Sequence, residues 1–345
     1  MMNRIFTFLF VYISFFQLSA QMEDYKVACV AFYNLENLFD TENDTLINDE
    51  EFLPDGKKSW TKERYAEKLD NMAFVISKLG TDVTPMGASI LGVSEIENRT
   101  VLEDLTNHES LRDRDYKIVH FDSPDKRGID VALLYQAKHF ELVKAEPIVL
   151  NLTKLGSTRP TRDILFVEGL LDGEKMYFMV NHWPSRGGGE KKTKAYRNQG
   201  ARVVKSVIDS LIKIDKNAKI FILGDLNDDP TSESIKSILS AKSKKSEVRA
   251  GGIFNPMADL YRRGIGSNAY RDAWSLFDQI LMSSGLLSKK QEGYFHYKTI
   301  IYNKKFLIQK SGKYSGYPFR SFSGSEYIGG YSDHFPVFVY LAKKI

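Results

Sequence analysis

The chain has 345 residues, 43% of them hydrophobic and 12% aromatic, enough apolar material to bury a core of its own. Its formal net charge of +4, from 48 Lys and Arg against 44 Asp and Glu, is too slight to argue for nucleic acid by itself. A single cysteine, Cys29, excludes a disulfide-stapled scaffold, so stability must come from packing.

In chain order, a short basic start (1–4) precedes an apolar, charge-free run (5–16) that is too short to span a bilayer comfortably. A polar stretch then leads to Leu18, Ser19, Ala20 and Gln21, and small Ala20 suits the residue before a cleavage point. Residues 1–20 therefore read as a secretory signal and 21–345 as one domain, with the protein expected in the periplasm or outside the cell. Losing Arg4 takes the net charge from +4 to +3. An uncleaved anchor is the alternative, and Leu18 is larger than the residue preferred two places before a cut, which leaves the scissile bond open.

Beyond residue 21 no low-complexity linker or repeat divides the chain, and one domain is the simpler reading. Residues 27–33, 89–93, 129–135, 164–171, 176–180, 220–223 and 337–341 are rich in Val, Ile, Leu, Phe and Tyr, as buried strands are. Several are apolar on both faces, which predicts sheets covered on both sides. Between the first two runs Tyr65, Leu69, Met72, Ile76 and Leu79 recur at helical spacing, with Thr61 as cap and Gly80 as stop. A second helical stretch covers 192–214. This alternation predicts an α/β (α+β) sandwich: two packed sheets flanked by outer helices, with polar residues at strand ends converging on one rim.

The polar residues placed just after apolar runs form a chemically coherent set. Residues 27–33 end in Asn34, Leu35 and Glu36; 89–93 end in Ser94 and Glu95; 176–180 run into Asn181, His182, Trp183, Pro184, Ser185 and Arg186. Residues 220–223 run into Gly224, Asp225, Leu226 and Asn227, Asp278 sits inside the apolar run 274–281, and Asp333 and His334 precede the last strand. Each item alone has an ordinary explanation: a solvated strand end, an Asx-stabilised turn, a surface histidine.

Together and in this order they resemble the endonuclease/exonuclease/phosphatase superfamily, which includes deoxyribonuclease I, abasic-site endonucleases, bacterial sphingomyelinases and inositol polyphosphate 5-phosphatases. The resemblance spans 27–341 and rests on the run NLENLFD from Asn34, Glu95 in GVSEIEN, His182 in NHWPSRGGG, Asp225 and Asn227 in GDLND, Asp278 in FDQIL, and Asp333 with His334 in SDHFP. It implies a four-layer sandwich and a metal-dependent phosphoesterase.

A phosphodiester is anionic and resists attack, so such a site needs a hard cation, and Mg²⁺ prefers one or two carboxylates with water and phosphate oxygens. Glu95 is the leading metal ligand, with Asn34, Asp333 and Glu36 as further ones; one-metal and two-metal versions stay open, and Mn²⁺ or Ca²⁺ can replace Mg²⁺. The resemblance implies that Asp225 orients and deprotonates the attacking water, that Asn227 holds that water or a phosphate oxygen, and that Asp278 fixes the ring of His334 facing the phosphate. Members of the family differ on whether the formal base is the residue matching Asp225 or the one matching His334. His182 is expected to donate to the phosphate or leaving oxygen, and Arg127 and Arg186 to bind phosphate.

Other signals carry less. Residues 187–193 superficially suggest a phosphate-cradling loop, but no Gly directly precedes the Lys192–Thr193 pair; the stretch reads as a mobile substrate loop. Cys29 is expected in the core, and His108, His120, His139 and His296 at the surface or in packing. Between 288 and 320 seven lysines and Arg320 face one acid, Glu292, among eight Tyr and Phe. That segment is either a solvated, half-buried hairpin, an arm gripping a polyanion, or a membrane-surface contact. The expected activity is that of an exported nuclease on DNA or RNA, with a sphingomyelinase-like phospholipid diesterase or an inositol-phosphate phosphatase as alternatives. A non-catalytic nucleic-acid or lipid binding module would usually have lost ligands, and here Glu95, Asp225, Asp333 and His334 are all present. Oligomeric state and protein partners are not readable.

Overall fold

The computed structural model of the chain describes residues 24–289 and 292–345, so the expected signal at 1–20 lies outside the described residues. The first half forms β1 (Tyr25–Leu38), α1 (Lys62–Lys78), β2 (Ile90–Ile96), α2 (Arg99–Asn107), β3 (Tyr116–His120), β4 (Asp130–Gln136), β5 (Phe140–Ile148), β6 (Ile164–Leu171) and β7 (Glu174–His182). The second half forms α3 (Glu190–Ile214), β8 (Lys219–Asp225), β9 (Ile253–Phe254), α4 (Met257–Arg262), a hairpin of β10 (Asn268–Tyr270) and β11 (Ala273–Ser275), β12 (Asp278–Ser283), β13 (Phe295–Ile301), a hairpin of β14 (Phe322–Ser323) and β15 (Glu326–Tyr327), and β16 (Val337–Lys344).

Two six-stranded sheets result, in the orders β13-β16-β1-β2-β4-β3 and β5-β6-β7-β8-β12-β9. Each is mixed: β1 with β2 and β7 with β8 are parallel, while their other neighbours run antiparallel. The period-two alternation of side chains decides the layers. In β8, Phe221 and Leu223 join the core between the sheets, while Ile220 and Ile222 pack with Ala201, Val204 and Ile208 of α3. The same split runs through β7, where Phe178 and Val180 point inward and Met179 toward α3. The sheets approach closely at Gly92, where an added Cβ would lie 2.8 Å from Leu223 of the facing sheet. On the other side Met72, Val75 and Ile76 of α1 cover the first sheet, which completes four layers. This is the fold expected from the sequence.

Local signals operate as their chemistry requires. Thr61 Oγ1 caps α1 by accepting from Arg64 N at 3.5 Å, and Gly80 takes a left-handed φ of +79° just after the helix ends. Cys29 is fully buried. Strands β3, β5 and β13 were not legible as buried strands because they lie toward or at sheet edges; Leu142 and Val143 of β5 are exposed. Of the readings offered for 288–320, the half-buried hairpin fits in part: β13 pairs with β16, and residues 307–319 fold back on themselves, Phe319 N donating to Leu307 O and Gln309 N to Tyr317 O.

His296, on β13, is buried, with Nε2 2.7 Å from Thr299 Oγ1, and burial with the nearby Lys245 charge pushes its pKa down to about 3. The folded state thus keeps the ring neutral while the unfolded chain protonates near 6.5, so its stabilisation is complete above that pH and is lost as pH falls toward 3. On acidification from pH 7.5 to 5, His296→Gln is expected to lose about 2 kcal/mol less unfolding free energy than the native chain. Parallel losses in urea titrations at the two pH values would refute this.

Candidate active site

The polar residues singled out by sequence meet because two strands break their ladder at the same end of the sandwich. The β1–β2 register shifts between Asn34 and Leu38, with Glu36 and Asn37 at φ of +49° and +56°. The β2–β4 register shifts between Ser94 and Ile96, with Glu95 at φ +58°. Non-glycine residues in the left-handed region carry a penalty, and such bulges re-aim side chains that a regular strand would send into a core face. In the second sheet His182 and Asp225 close the parallel pair β7–β8 side by side. Gly224 permits this approach: at φ +152° its backbone comes so near β7 that a Cβ would sit 2.1 Å from Asn181 O. Asp278 heads β12 directly opposite Asp225.

His334, three residues before β16, reaches across from the first sheet. Its Nδ1 lies 2.6 Å from Asp278 Oδ2, and its Nε2 lies 3.9 Å from both Asp225 Oδ2 and Asp333 Oδ1. Burial alone would lower the imidazole pKa, but Asp278, by charge and hydrogen bond, with Asp225 and Asp333, raises it well above the ordinary value, so the ring is an imidazolium. His182 Nε2 stands 3.7 Å from Glu95 Oε1 and 3.6 Å from Asp225 Oδ2. Burial, reinforced by Arg162, Arg127 and His334, holds His182 well below its usual pKa and therefore neutral. Burial raises Asp225 to about 7, with the His334 charge opposing and Asp278 and Glu95 assisting, and burial together with Asp333 raises Glu95.

Ligand atoms of Glu95, His182 and Asp225 lie within 4.8 Å of one another, as do those of Asp225, Asp278 and His334. Buried carboxylates crowded this closely, offering oxygen and imidazole but no thiol, suit a hard divalent cation. The sequence reading put Asp225 and His182 outside the metal set; here they flank Glu95 at distances one ion can bridge.

The other expected residues are placed as follows. Asn34 is fully buried, donates from Nδ2 to Asp225 Oδ2 at 3.1 Å and accepts from Glu36 N through Oδ1. Asn227 donates to Trp183 O and takes a left-handed φ of +49°. Glu36 turns to one side, where Oε2 accepts from Ser321 N at 2.7 Å; burial and Asp333 raise it to about 7, with Lys68 opposing. Asp333 pairs with Arg320 at 3.4 Å. The Arg127 side chain is 58% exposed and close enough to favour ionised Glu95. Arg186 is already engaged: it donates to Asn227 O, pairs with Asp228 and Asp229, and stacks on Phe277.

The model for the Endonuclease/Exonuclease/phosphatase family matches residues 29–343. The chain belongs to this family. Solved members and relatives share its fold at low identity. An endonuclease/exonuclease/phosphatase family protein from Bacteroides thetaiotaomicron is 17% identical, with 94% of this chain and 97% of that one covered at a TM-score of 0.54. The mannosyl-6-phosphatase of B. thetaiotaomicron VPI-5482 is 18% identical (91% and 99% covered, TM-score 0.53). TDP2 of D. rerio, complexed with single strand DNA product, is 13% identical (91% and 98% covered, TM-score 0.53). No curated protein matches the sequence.

In this family member a cleft of about 700 Å³ opens at the other end of the sandwich, where β7 and β8 begin, and its Lys219 and Lys343 both pair with Glu174. Sequence reasoning also missed two buried cations behind the site. Arg162 donates to Asp125 Oδ2 at 2.8 Å and to Trp183 O at 2.9 Å, beneath His182. It precedes β6, outside the matched motifs, and nothing in its immediate sequence marks it. Lys68, fully buried, donates to Ser321 Oγ and Tyr331 O, and burial lowers it to about 8. Its signal was visible, since 68, 72 and 76 share one helical stripe.

Arg162→Met removes the buried partner of Asp125, leaving it only the exposed Arg127 at 3.4 Å, and losing one half of a buried ion pair costs about 3–5 kcal/mol. Thermal and urea unfolding should register a loss of that size; a change below about 1 kcal/mol would show that Asp125 is compensated otherwise.

Proposed function

We propose that this chain is a metal-dependent phosphodiester hydrolase acting on nucleic acid. The supporting observation is the convergence of Glu95, His182, Asp225 and His334, from four segments of two sheets, in a chain of contacts of 3.7, 3.6 and 3.9 Å that runs Glu95–His182–Asp225–His334. Glu95 and Asp225, with Asp333 near His334, are the carboxylates that would hold a divalent cation, Mg²⁺ by our reading, with Mn²⁺ or Ca²⁺ as substitutes. Such an ion supplies charge neutralisation and orientation of the phosphate.

Asp225 serves as acceptor for the proton of the attacking water, and a carboxyl group tuned to about 7 by burial is matched to that task at neutral pH. Asn34 and Asn227 N, both donating to Asp225, keep its carboxylate aimed. The His334 imidazolium, with one nitrogen held by Asp278, presents the other toward negative charge developing on phosphate oxygens. Neutral His182 donates a hydrogen bond to the phosphate or to the leaving oxygen. As water oxygen bonds to phosphorus, giving its proton to Asp225, the ester P–O bond breaks, and the leaving oxygen takes its proton from the His334 imidazolium while neutral His182 only donates a hydrogen bond. Arg186 acts through the loop it ties down, and Arg127, exposed beside Glu95, is the better candidate for direct phosphate contact.

The structural neighbour with a single strand DNA product supports the nucleic-acid reading. The mannosyl-6-phosphatase of similar fold supports a second one, a phosphomonoesterase. Inositol phosphates and sphingomyelin complete the alternatives; no helix among the described residues is long and apolar enough to cross a membrane.

Single-stranded and duplex DNA, RNA, mannose 6-phosphate, inositol phosphates and sphingomyelin, each with Mg²⁺ or chelator, form the deciding panel. Metal-dependent cleavage of a nucleic acid is expected. Asp225→Asn, His182→Ala and His334→Ala should each lower turnover at least about a hundredfold with the fold intact. Glu95→Gln should raise the Mg²⁺ concentration needed. Native-like turnover by a folded Asp225→Asn chain would remove Asp225 from its role, and hydrolysis of sugar phosphate alone would replace the nuclease reading.

Export is part of the proposal, on the strength of residues 1–20. The mature protein recovered from cells should lack the apolar run 5–16 and begin at or near Gln21. Recovery with residues 1–20 retained would instead indicate an uncleaved anchor.

A further inference from the structure

The wall beside His334 takes no part in the mechanism above. Trp274, on β11, stacks nearly parallel on Phe335, the residue after His334, with centroids 5.9 Å apart and planes at 15°. It remains 37% exposed, whereas Trp60 and Trp183, the other two tryptophans, are 1% and 0% exposed. Tyr317 meets the indole at 6.2 Å and Tyr314 continues the row at 5.9 Å. The guanidinium of Arg320 lies 4.7 Å over the Tyr314 ring while facing Asp333. At the hairpin tip Tyr270 is 71% exposed, with Arg271 5.3 Å over its ring.

This row is held firmly against the reacting end of the molecule. Ser267 N donates to Ser275 O across the hairpin, Phe335 N donates to Ser267 O, and Asp278 N donates to Ser267 Oγ. Leu276 N donates to Asp229 Oδ1 at 2.9 Å, and Asp272 at the tip accepts from Tyr317 OH at 2.6 Å. The hairpin's feet are therefore bonded to the segments that carry Asp278 and His334.

We propose that Trp274 and Tyr317 form a stacking shelf for an unpaired nucleobase, whose adjoining phosphate enters the site at His334. Aromatic faces interleaved with guanidinium groups match a ligand that alternates flat rings with phosphates. Only an unpaired or terminal base offers a free face, since neighbours cover both faces inside a duplex. The shelf thus selects single strands or frayed ends. A sugar ring also lies on aromatic faces but needs acceptors for its hydroxyls, and the hairpin's carboxylate, Asp272, is taken by Tyr317. The inference rests on the phosphodiesterase reading above and deepens it.

The test uses the full chain with Mg²⁺. Two single-stranded oligonucleotides of equal length are compared, one with all its bases and one base-free over the residues flanking the scissile phosphate. The native chain should prefer the first through KM, Trp274→Ala should raise that KM roughly tenfold, and Trp274→Phe should restore most of it. Cleavage of the base-free strand should be the same in all three. Because Trp60 and Trp183 are buried, tryptophan fluorescence of an Asp225→Asn chain reports on Trp274. The strand with bases should quench it, whereas the base-free strand and mannose 6-phosphate should not. Tyr317→Leu gives a second variant should Trp274→Ala fail to fold.

Equal cleavage and equal quenching by both strands would overturn the shelf while leaving the phosphodiesterase reading intact. Quenching by the sugar phosphate alone would also overturn it. Base-dependent quenching without hydrolysis of any phosphodiester would uphold the shelf and sink the phosphodiesterase reading.

Discussion

The contact of 2.6 Å between His334 Nδ1 and Asp278 Oδ2 joins the two sheets at their functional rim, for Asp278 opens β12 of one sheet and His334 leads into β16 of the other. Asp278 stands in register with Asp225, so the imidazolium faces two buried carboxylates at once. Remove that positive charge and the buried carboxylates of Asp225 and Asp278 would face one another without a compensating cation, a costly arrangement in a desolvated site. The raised positions of Asp225 and Glu95 show the same crowding from the other side. A divalent cation answers the remaining demand.

Around this centre the protein places buried cations as fixed supports. Arg197, fully buried, bonds Asp228 at 2.6 Å and ties α3 to the loop after Asp225. Arg186 reaches the same loop from the segment after His182, and Arg162 anchors Trp183 from beneath. On the opposite side Lys68 and Asn71 of α1 hold Ser321, Gly329, Gly330 and Tyr331, the approach to Asp333. Buried ion pairs contribute little net stability, but breaking one is costly, which makes them suited to holding loops in one geometry. Three of the four segments that meet at the site, those of His182, Asp225 and His334, are thus tied by a cation or an amide from a different element.

Family membership and fold leave the substrate undetermined, because relatives with the same layers act on different phosphoesters and fold alone does not select among them. The chain's own rim carries the β10–β11 hairpin, the aromatic row beginning at Trp274, and the exposed Arg127. These lie on loops and short hairpins outside the two sheets, where the scaffold places few constraints on sequence.

The amino-acid sequence alone determined the layers and which polar residues are candidates for the site. Apolar runs such as 220–223, hydrophobic on both faces, require cover on both sides, and polar residues directly after them must leave the core at a strand end; both are local consequences of period-two geometry. Asn34, Glu95, His182 and Asp225 were legible for that reason, whereas Asp278, inside an apolar run, and His334, ahead of a strand, were legible only through the family resemblance. Tertiary structure alone decided which of them touch, since the bulges at Glu36–Asn37 and Glu95 and the facing of Asp278 by His334 depend on pairing between segments up to 300 residues apart. It also decided that Glu36 turns to Ser321 and Lys68, that Arg186 is engaged by Asp228 and Asp229, and that Arg162 and Lys68 stand behind the site. A side chain's partners are set by which element packs against it, and that information is distributed over the whole chain.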